Sequence, residues 1–156
     1  MSPEGFTRAL TDLISKTSSS APFVADVARA DLADSYRAEK KYTEADEIYK
    51  QIEERKGVSD NVRARMFLGL GYIAMEKAVA DGNKEAMHDA LKNFLKVFLN
   101  CKDGADPELV GEGLYNAAKV CEQWNELPSC KLMAARLRGR LRLRAPWKNT
   151  SWASKK

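Results

Sequence analysis

The segment LADSYRAEKKYTEADEIY, residues 32–49, contains the spacing that decides the fold. Ala33 comes three residues before Tyr36, Ala45 follows Tyr36 by nine residues, and Tyr49 lies four residues further on. With 3.6 residues per helical turn, this spacing places Tyr36, Ala45 and Tyr49 on facing sides of two helices. The segment therefore predicts a helical hairpin with one tight turn.

Two later segments repeat this pattern with changes. The first begins with LGLGY, residues 68–72, and resumes at Phe94 after an insertion. The second begins with LYNAA, residues 114–118, and continues through Cys121 and Cys130, which are again nine residues apart. Because small residues recur where two helices must touch closely, we expect three helical hairpins in the chain.

This arrangement resembles the tetratricopeptide repeat family, whose helix pairs carry a Leu-Gly pair followed at fixed distances by a Tyr, an Ala and a second aromatic residue. The resemblance covers residues 26–145, where the small position moves from Ala33 to Gly69 to Ala118. These steps of 36 and 49 residues exceed the family period of about 34. The copies are therefore degenerate, and the second one is extended.

The resemblance implies an all-α fold, a right-handed stack of antiparallel helix pairs (a TPR-like α-solenoid) with about three hairpins and an N-terminal helix. We assign residues 1–145 to one helical domain, in which residues 1–20 form a lead helix and linker, and residues 146–156 to a basic aromatic tail. A chain of 156 residues with 44% hydrophobic and 31% charged residues fits one such domain. We expect the tail to be extended or partly disordered.

Start signals for several helices support this architecture. Asp106, which a proline follows, is the strongest of them, and Asn83 is expected to cap another helix. Thr43 and Asp46 have the spacing of a capping box. The last hairpin is expected to turn at residues 125–127.

The segment RLRGRLRLR, residues 136–144, alternates strictly between basic and small or apolar residues, which alone would predict a strand. Leu137 and Leu141, however, continue a helical stripe that begins at Leu132 and Met133. We therefore predict a helix here.

Charge is distributed unevenly along the chain. Residues 127–156 contain nine Lys or Arg and no acidic residue, whereas the preceding 126 residues contain 17 basic and 22 acidic residues, a net of −5. The basic patch consists of Arg136, Arg138, Arg140, Arg142, Arg144 and Lys148. It is compatible with a solvated outer face, an acidic protein partner, head-to-tail self-association, or contact with nucleic acid or an anionic membrane. For nucleic acid, Trp147 and Trp152 would stack on bases.

Catalytic and metal sites have little support in the sequence. His88 is the single histidine, and Cys101, Cys121 and Cys130 lack the short spacing of zinc ligands. The glycines of residues 68–74 imitate a dinucleotide fingerprint, but no buried strand precedes them, so we interpret them as close-packing residues. Cys121 and Cys130 are compatible with packed thiols or with a disulfide. We assign no catalytic residue, cofactor or metal site.

The compartment stays open on sequence grounds. No stretch approaches 18 uninterrupted apolar residues, so we predict no membrane span. The N-terminus lacks a basic leader followed by an apolar run, which favours the cytoplasm. A periplasmic location remains the alternative if a leader has been removed.

The resemblance also implies a binding surface, because in this family the first helix of each pair lines a concave groove. The matching positions are Asp34, Arg37, Arg63, Met66, Phe67, Leu70, Ile73, Tyr115, Asn116, Lys119 and Glu122. The apolar members would anchor an apolar side chain while the cations orient an acidic group. The alternative is that these apolar residues pack within the fold.

We therefore predict a non-catalytic scaffold or adaptor that binds another protein or a peptide segment, with homo-oligomer formation as a further option. The alternative function is nucleic-acid binding through residues 127–156, which would weaken steeply with salt. Enzymatic activity is the third option, because the sequence contains no acid, base, nucleophile or cofactor motif that converges on one site.

Overall fold

The computed structural model describes residues 2–124, 128–144 and 146–155. Within these ranges the chain forms seven α-helices and one short 3-10 helix and contains no strand. The helices are α1 Pro3–Thr17, α2 Pro22–Ala38, α3 Tyr42–Glu54, α4 Asp60–Asp81, α5 Lys84–Cys101, α6 Pro107–Gln123, α7 Pro128–Leu143 and the 3-10 helix Trp147–Asn149. The predicted all-α class is confirmed, and the turn expected at residues 125–127 lies outside the described residues.

Local side-chain chemistry determines several helix starts. Asp106 and Asn83 each accept a hydrogen bond at 2.9 Å from a backbone N–H of the helix that follows, as predicted. Ser59 caps α4 in the same way. The capping box expected at Thr43 is wrong, because α3 begins one residue earlier, at Tyr42, without a side-chain cap.

Each helix packs against the next one along the chain, and α4 also packs against α2 and α6. The α4–α5 pair shows the direction of the packing. Gly71 faces Phe94, whereas Phe67, one turn earlier on α4, faces Lys96, later on α5. These two helices are therefore antiparallel. Packing between successive helices, together with contacts among α2, α4 and α6, is consistent with a helical repeat.

Small residues lie where helices approach most closely. A methyl group on Gly69 would overlap the fully buried ring of Tyr49, and one on Gly71 would lie 2.6 Å from the ring of Phe94. Ala33 and Ala118 are also completely buried. Because both glycines lie inside α4, they act as close-packing residues, as the sequence analysis expected.

The C-terminal region departs from expectation in one respect. Residues 136–143 are helical, which confirms the helix over the strand. Residues 146–155, however, are not an extended tail, because Trp147 is buried between α5, α6 and α7. Glu108 on α6 also accepts two hydrogen bonds from Ser151, from its backbone N–H and its hydroxyl, both at 2.7 Å. The non-periodic segment is held by contacts to α6 that are distant in sequence.

Candidate functional site

A polar crevice of about 180 Å³ lies on the side of the stack where α2, α4 and α6 meet. Asp34 on α2 accepts a hydrogen bond from the Tyr49 hydroxyl at 2.5 Å and two from the Arg65 guanidinium at 2.6 and 3.2 Å. Arg65 also donates to Asp31 at 2.7 Å. The predicted groove residue Asp34 is therefore engaged inside the chain, where it joins α2, α3 and α4.

A second network connects α4 with α6. The Tyr72 hydroxyl donates to the Glu112 carboxylate and accepts a hydrogen bond from Asn116 Nδ2 at 2.9 Å. Burial raises the pKa of Glu112 above its ordinary value, and the Tyr72 hydrogen bond opposes that rise. The guanidinium of Arg37 lies 5.0 Å from the centre of the Tyr72 ring. Tyr72, which the groove assignment omitted, thus brings the predicted residues Arg37 and Asn116 together.

The apolar part of the predicted groove lies elsewhere. Met66, Phe67 and Ile73 are between 1% and 6% exposed and belong to the main core cluster. They therefore offer little surface to a partner in this structure. Arg63 shares with Met66 and Phe67 a crevice near α3 and α5, and Leu70 is half-buried beside Ile73. None of these five predicted groove residues of α4 lines the polar crevice. Arg65 and Tyr72 of α4 line it instead.

Most of the predicted groove residues of α6 contact other residues of the same chain. Tyr115 packs against the Trp152 ring at 5.3 Å, and the Arg138 guanidinium lies 4.5 Å from its ring centre. Glu122 accepts two hydrogen bonds from Arg138, both at 2.9 Å, and this pairing lowers the pKa of Glu122. Lys119 is half-buried on the same helix. The C-terminal residues therefore cover part of the surface assigned to a partner.

An apolar trough with a volume of about 610 Å³ lies between α5 and α7. Its lining consists of Leu95, Phe98, Leu99, Met133, Arg136, Leu137, Gly139, Arg140, Leu143 and Arg144. Leu99 is 65% exposed and Leu143 is 79% exposed. The groove assignment omitted the apolar members of this set. A sequence signal did exist, because Leu95 and Leu99 widen the apolar stripe of α5 beyond the arc that its core residues occupy.

The basic patch divides among three environments. Arg136, Arg140 and Arg144 border the trough, and the Arg140 guanidinium lies 4.7 Å from the centre of the Phe98 ring. Arg138 is engaged with α6, as described above. Arg142 and Lys148 are exposed and do not line the trough. The patch is thus not one continuous surface.

The three cysteines are buried free thiols. Cys121 and Cys130 are close enough to interact, so of the two arrangements considered, packed thiols are the one observed. Burial raises the pKa of Cys101 and of Cys121 to about 11. Both thiols therefore stay protonated and unreactive near neutral pH.

Scans against protein-family profiles, curated proteins and solved structures find no match for this chain. Across residues 2–124, 128–144 and 146–155, no helix is both long and apolar enough to cross a membrane. The same ranges contain no group of three or more His, Cys, Asp or Glu side chains arranged to hold a metal ion.

Proposed function

We propose that this protein is a non-catalytic scaffold that binds a segment of another protein in the trough between α5 and α7. The observation that carries the proposal is the trough itself, because it leaves Leu99 and Leu143 exposed on facing helices. Apolar side chains grouped in a concave surface and surrounded by polar residues are typical of protein interaction sites. The polar crevice is a weaker candidate, because most of its groups already bind one another.

We also propose that the helices form a right-handed, TPR-like solenoid. The resemblance of residues 26–145 to tetratricopeptide repeats supports this architecture, as does the packing of α4 against both α2 and α6. In such a stack the second helices of successive pairs, α5 and α7, lie side by side on one surface. The trough would then be the gap between two repeats.

Nucleic-acid binding has less support. Binding of single strands relies on exposed aromatic faces beside cations. Here Trp147 is buried, and half-buried Trp152 packs against Tyr115, while the Lys155 ammonium lies 3.6 Å from the Trp152 ring centre. Of the basic patch, Arg136, Arg140 and Arg144 border an apolar trough. We therefore favour a protein segment as the partner.

Affinity purification with trough variants tests this function. Leu99→Glu and Leu143→Glu place a charge on the apolar lining of the trough, and we expect each to reduce recovery of the partner by roughly tenfold or more. The bait is purified from the native source and the captured proteins are quantified by mass spectrometry. Each protein that is lost is then produced recombinantly, and its binding is measured by calorimetry with the wild type and with both variants.

Val79→Glu is the matched control. Val79 is 71% exposed on α4, which places it outside the trough. We expect this variant to retain the partner at the wild-type level. Equal losses with all three variants, or no protein that binds in the purified assay, would contradict the proposed function. Recovery of nucleic acid that depends on the basic residues would favour the alternative.

A further inference from the structure

We propose that the trough selects an acidic amphipathic helix, with an apolar stripe that enters the trough and carboxylates that face α7. This inference rests on the proposed function and specifies the chemistry of the partner. Three features of the trough support it: an apolar floor, a row of cations on one rim, and walls made only of helices.

The floor of the trough requires an apolar ligand. Leu95, Phe98 and Leu99 line it from α5, and Met133, Leu137 and Leu143 line it from α7. The Phe98 ring is held at a fixed angle by an edge-to-face contact with Trp147, at 5.2 Å between ring centres. A rigid aromatic floor with exposed leucines on both sides suits large aliphatic or aromatic side chains.

The rim on α7 carries the charge. Arg136, Arg140 and Arg144 are spaced four residues apart, so they follow one side of the helix. Within the described residues, none of them forms an ion pair, whereas Arg138 on another side of the same helix is paired with Glu122. No residue of α7, Pro128–Leu143, is acidic. Three guanidinium groups beside an apolar surface complement a ligand that carries carboxylates along one flank.

The walls favour a helix over an extended segment. An extended peptide needs partners for its backbone N–H and C=O groups, which a sheet edge supplies, but α5 and α7 use theirs within the helices. A helical ligand satisfies its own backbone. Eight residues separate Arg136 from Arg144, about 12 Å of helix at about 1.5 Å per residue. A partner helix of two to three turns therefore spans the row.

Four synthetic peptides and the full-length protein test this inference by fluorescence anisotropy. The first peptide has leucines at positions i, i+3, i+4 and i+7 with glutamates on one flank. In the second and third, glutamine or lysine replaces every glutamate. The fourth has the composition of the first in an order without helical periodicity. We expect the glutamate peptide to bind at least roughly tenfold more tightly than each of the others, and the difference from the lysine peptide to shrink with added salt.

Charge reversal provides the matched protein variants. The double variant Arg136→Glu and Arg144→Glu is expected to reverse the preference, so that the lysine peptide binds more tightly than the glutamate peptide. Arg142→Glu alters an exposed arginine that does not line the trough, and it is expected to keep the wild-type preference. Circular dichroism establishes that each variant remains helical.

The possible failures distinguish this inference from the proposed function. Equal binding of the glutamate and glutamine peptides would overturn the acidic partner and leave the apolar trough as a protein site. Equal binding of the ordered and non-periodic peptides would overturn the helix. If no peptide binds while Leu99→Glu still abolishes capture of a protein, the inference fails and the proposed function stands. Displacement of the glutamate peptide by a single-stranded oligonucleotide would overturn the preference for a protein partner.

Discussion

Replacing Gly69 with alanine is expected to lower the free energy of unfolding by about 3 kcal/mol. The added methyl group would overlap the ring of Tyr49, which is fully buried and donates a hydrogen bond to Asp34. Either Tyr49 moves and weakens that hydrogen bond, or α3 and α4 separate. Equilibrium denaturation with urea, followed by circular dichroism, measures the change.

Gly139→Ala is the matched control for this substitution. Gly139 lies inside α7, and apart from its chain neighbours and the backbone of its own helix no heavy atom lies within 4 Å of an added methyl group. Alanine has the higher helix propensity, so this variant is expected to gain up to about 1 kcal/mol. In a Tyr49→Leu background the ring is absent, and Gly69→Ala should cost less than it does in the wild type. An equal loss of unfolding free energy in both backgrounds would show that the Tyr49 ring does not need the space at Gly69.

Trp147→Ala is the other substitution with a large expected effect, a loss of about 3 kcal/mol. The indole packs against Phe98 and, in a second cluster of buried residues, against Val110, Leu114 and Leu141. Its removal leaves a cavity where α5, α6 and α7 meet. Urea denaturation measures the loss, and limited proteolysis is expected to release the residues after Arg144 much faster than in the wild type.

Trp152→Ala is the comparison for this second prediction. Trp152 is half-buried on the surface of α6, so its removal is expected to cost only about 1 kcal/mol. Similar losses for both tryptophans would contradict a special role of Trp147. Resistance of Trp147→Ala to proteolysis would show that residues 146–155 are held mainly by the Glu108–Ser151 hydrogen bonds.

The helices were predictable because their signals are local. Asp106 and Asn83 cap their helices through side chains that bond to the adjacent backbone, so a short window of sequence contains the full cause. In α7, Leu137 and Leu141 keep a helical period despite the alternating arginines, and the period correctly predicted the helix. The close-packing role of Gly69 and Gly71 followed from the small-residue pattern in the same manner.

The side of α4 that meets the polar crevice was not predictable from the repeat pattern. One residue corresponds to about 100° of rotation around a helix, so a small error in alignment moves a position from one surface to another. The assignment selected Phe67 and Ile73, which are buried in the core, whereas Arg65 and Tyr72 line the crevice. The distances between successive copies of the repeat differ by more than ten residues. An alignment of the copies therefore could not determine which side of α4 meets the crevice.

The trough and the packing of residues 146–155 depend on contacts between distant parts of the chain. Trp147 reaches α5, and Ser151 reaches Glu108, 43 residues earlier. No periodicity within a single segment encodes such contacts. The width of the apolar stripe on α5 is a local hint, yet only the position of α7 shows that Leu99 stays exposed and that half-buried Leu95 lines the trough.

Site-specific photo-crosslinking tests most directly whether the trough is the binding surface. A photoreactive amino acid replaces Leu99 in the trough, Arg37 in the polar crevice or Val79 outside both, and each protein is irradiated with the partner recovered by affinity purification. We expect a crosslinked adduct from position 99 and none from positions 37 and 79. An adduct from position 37 alone would place the partner on the side formed by α2, α4 and α6 and would show that the trough is not the binding surface.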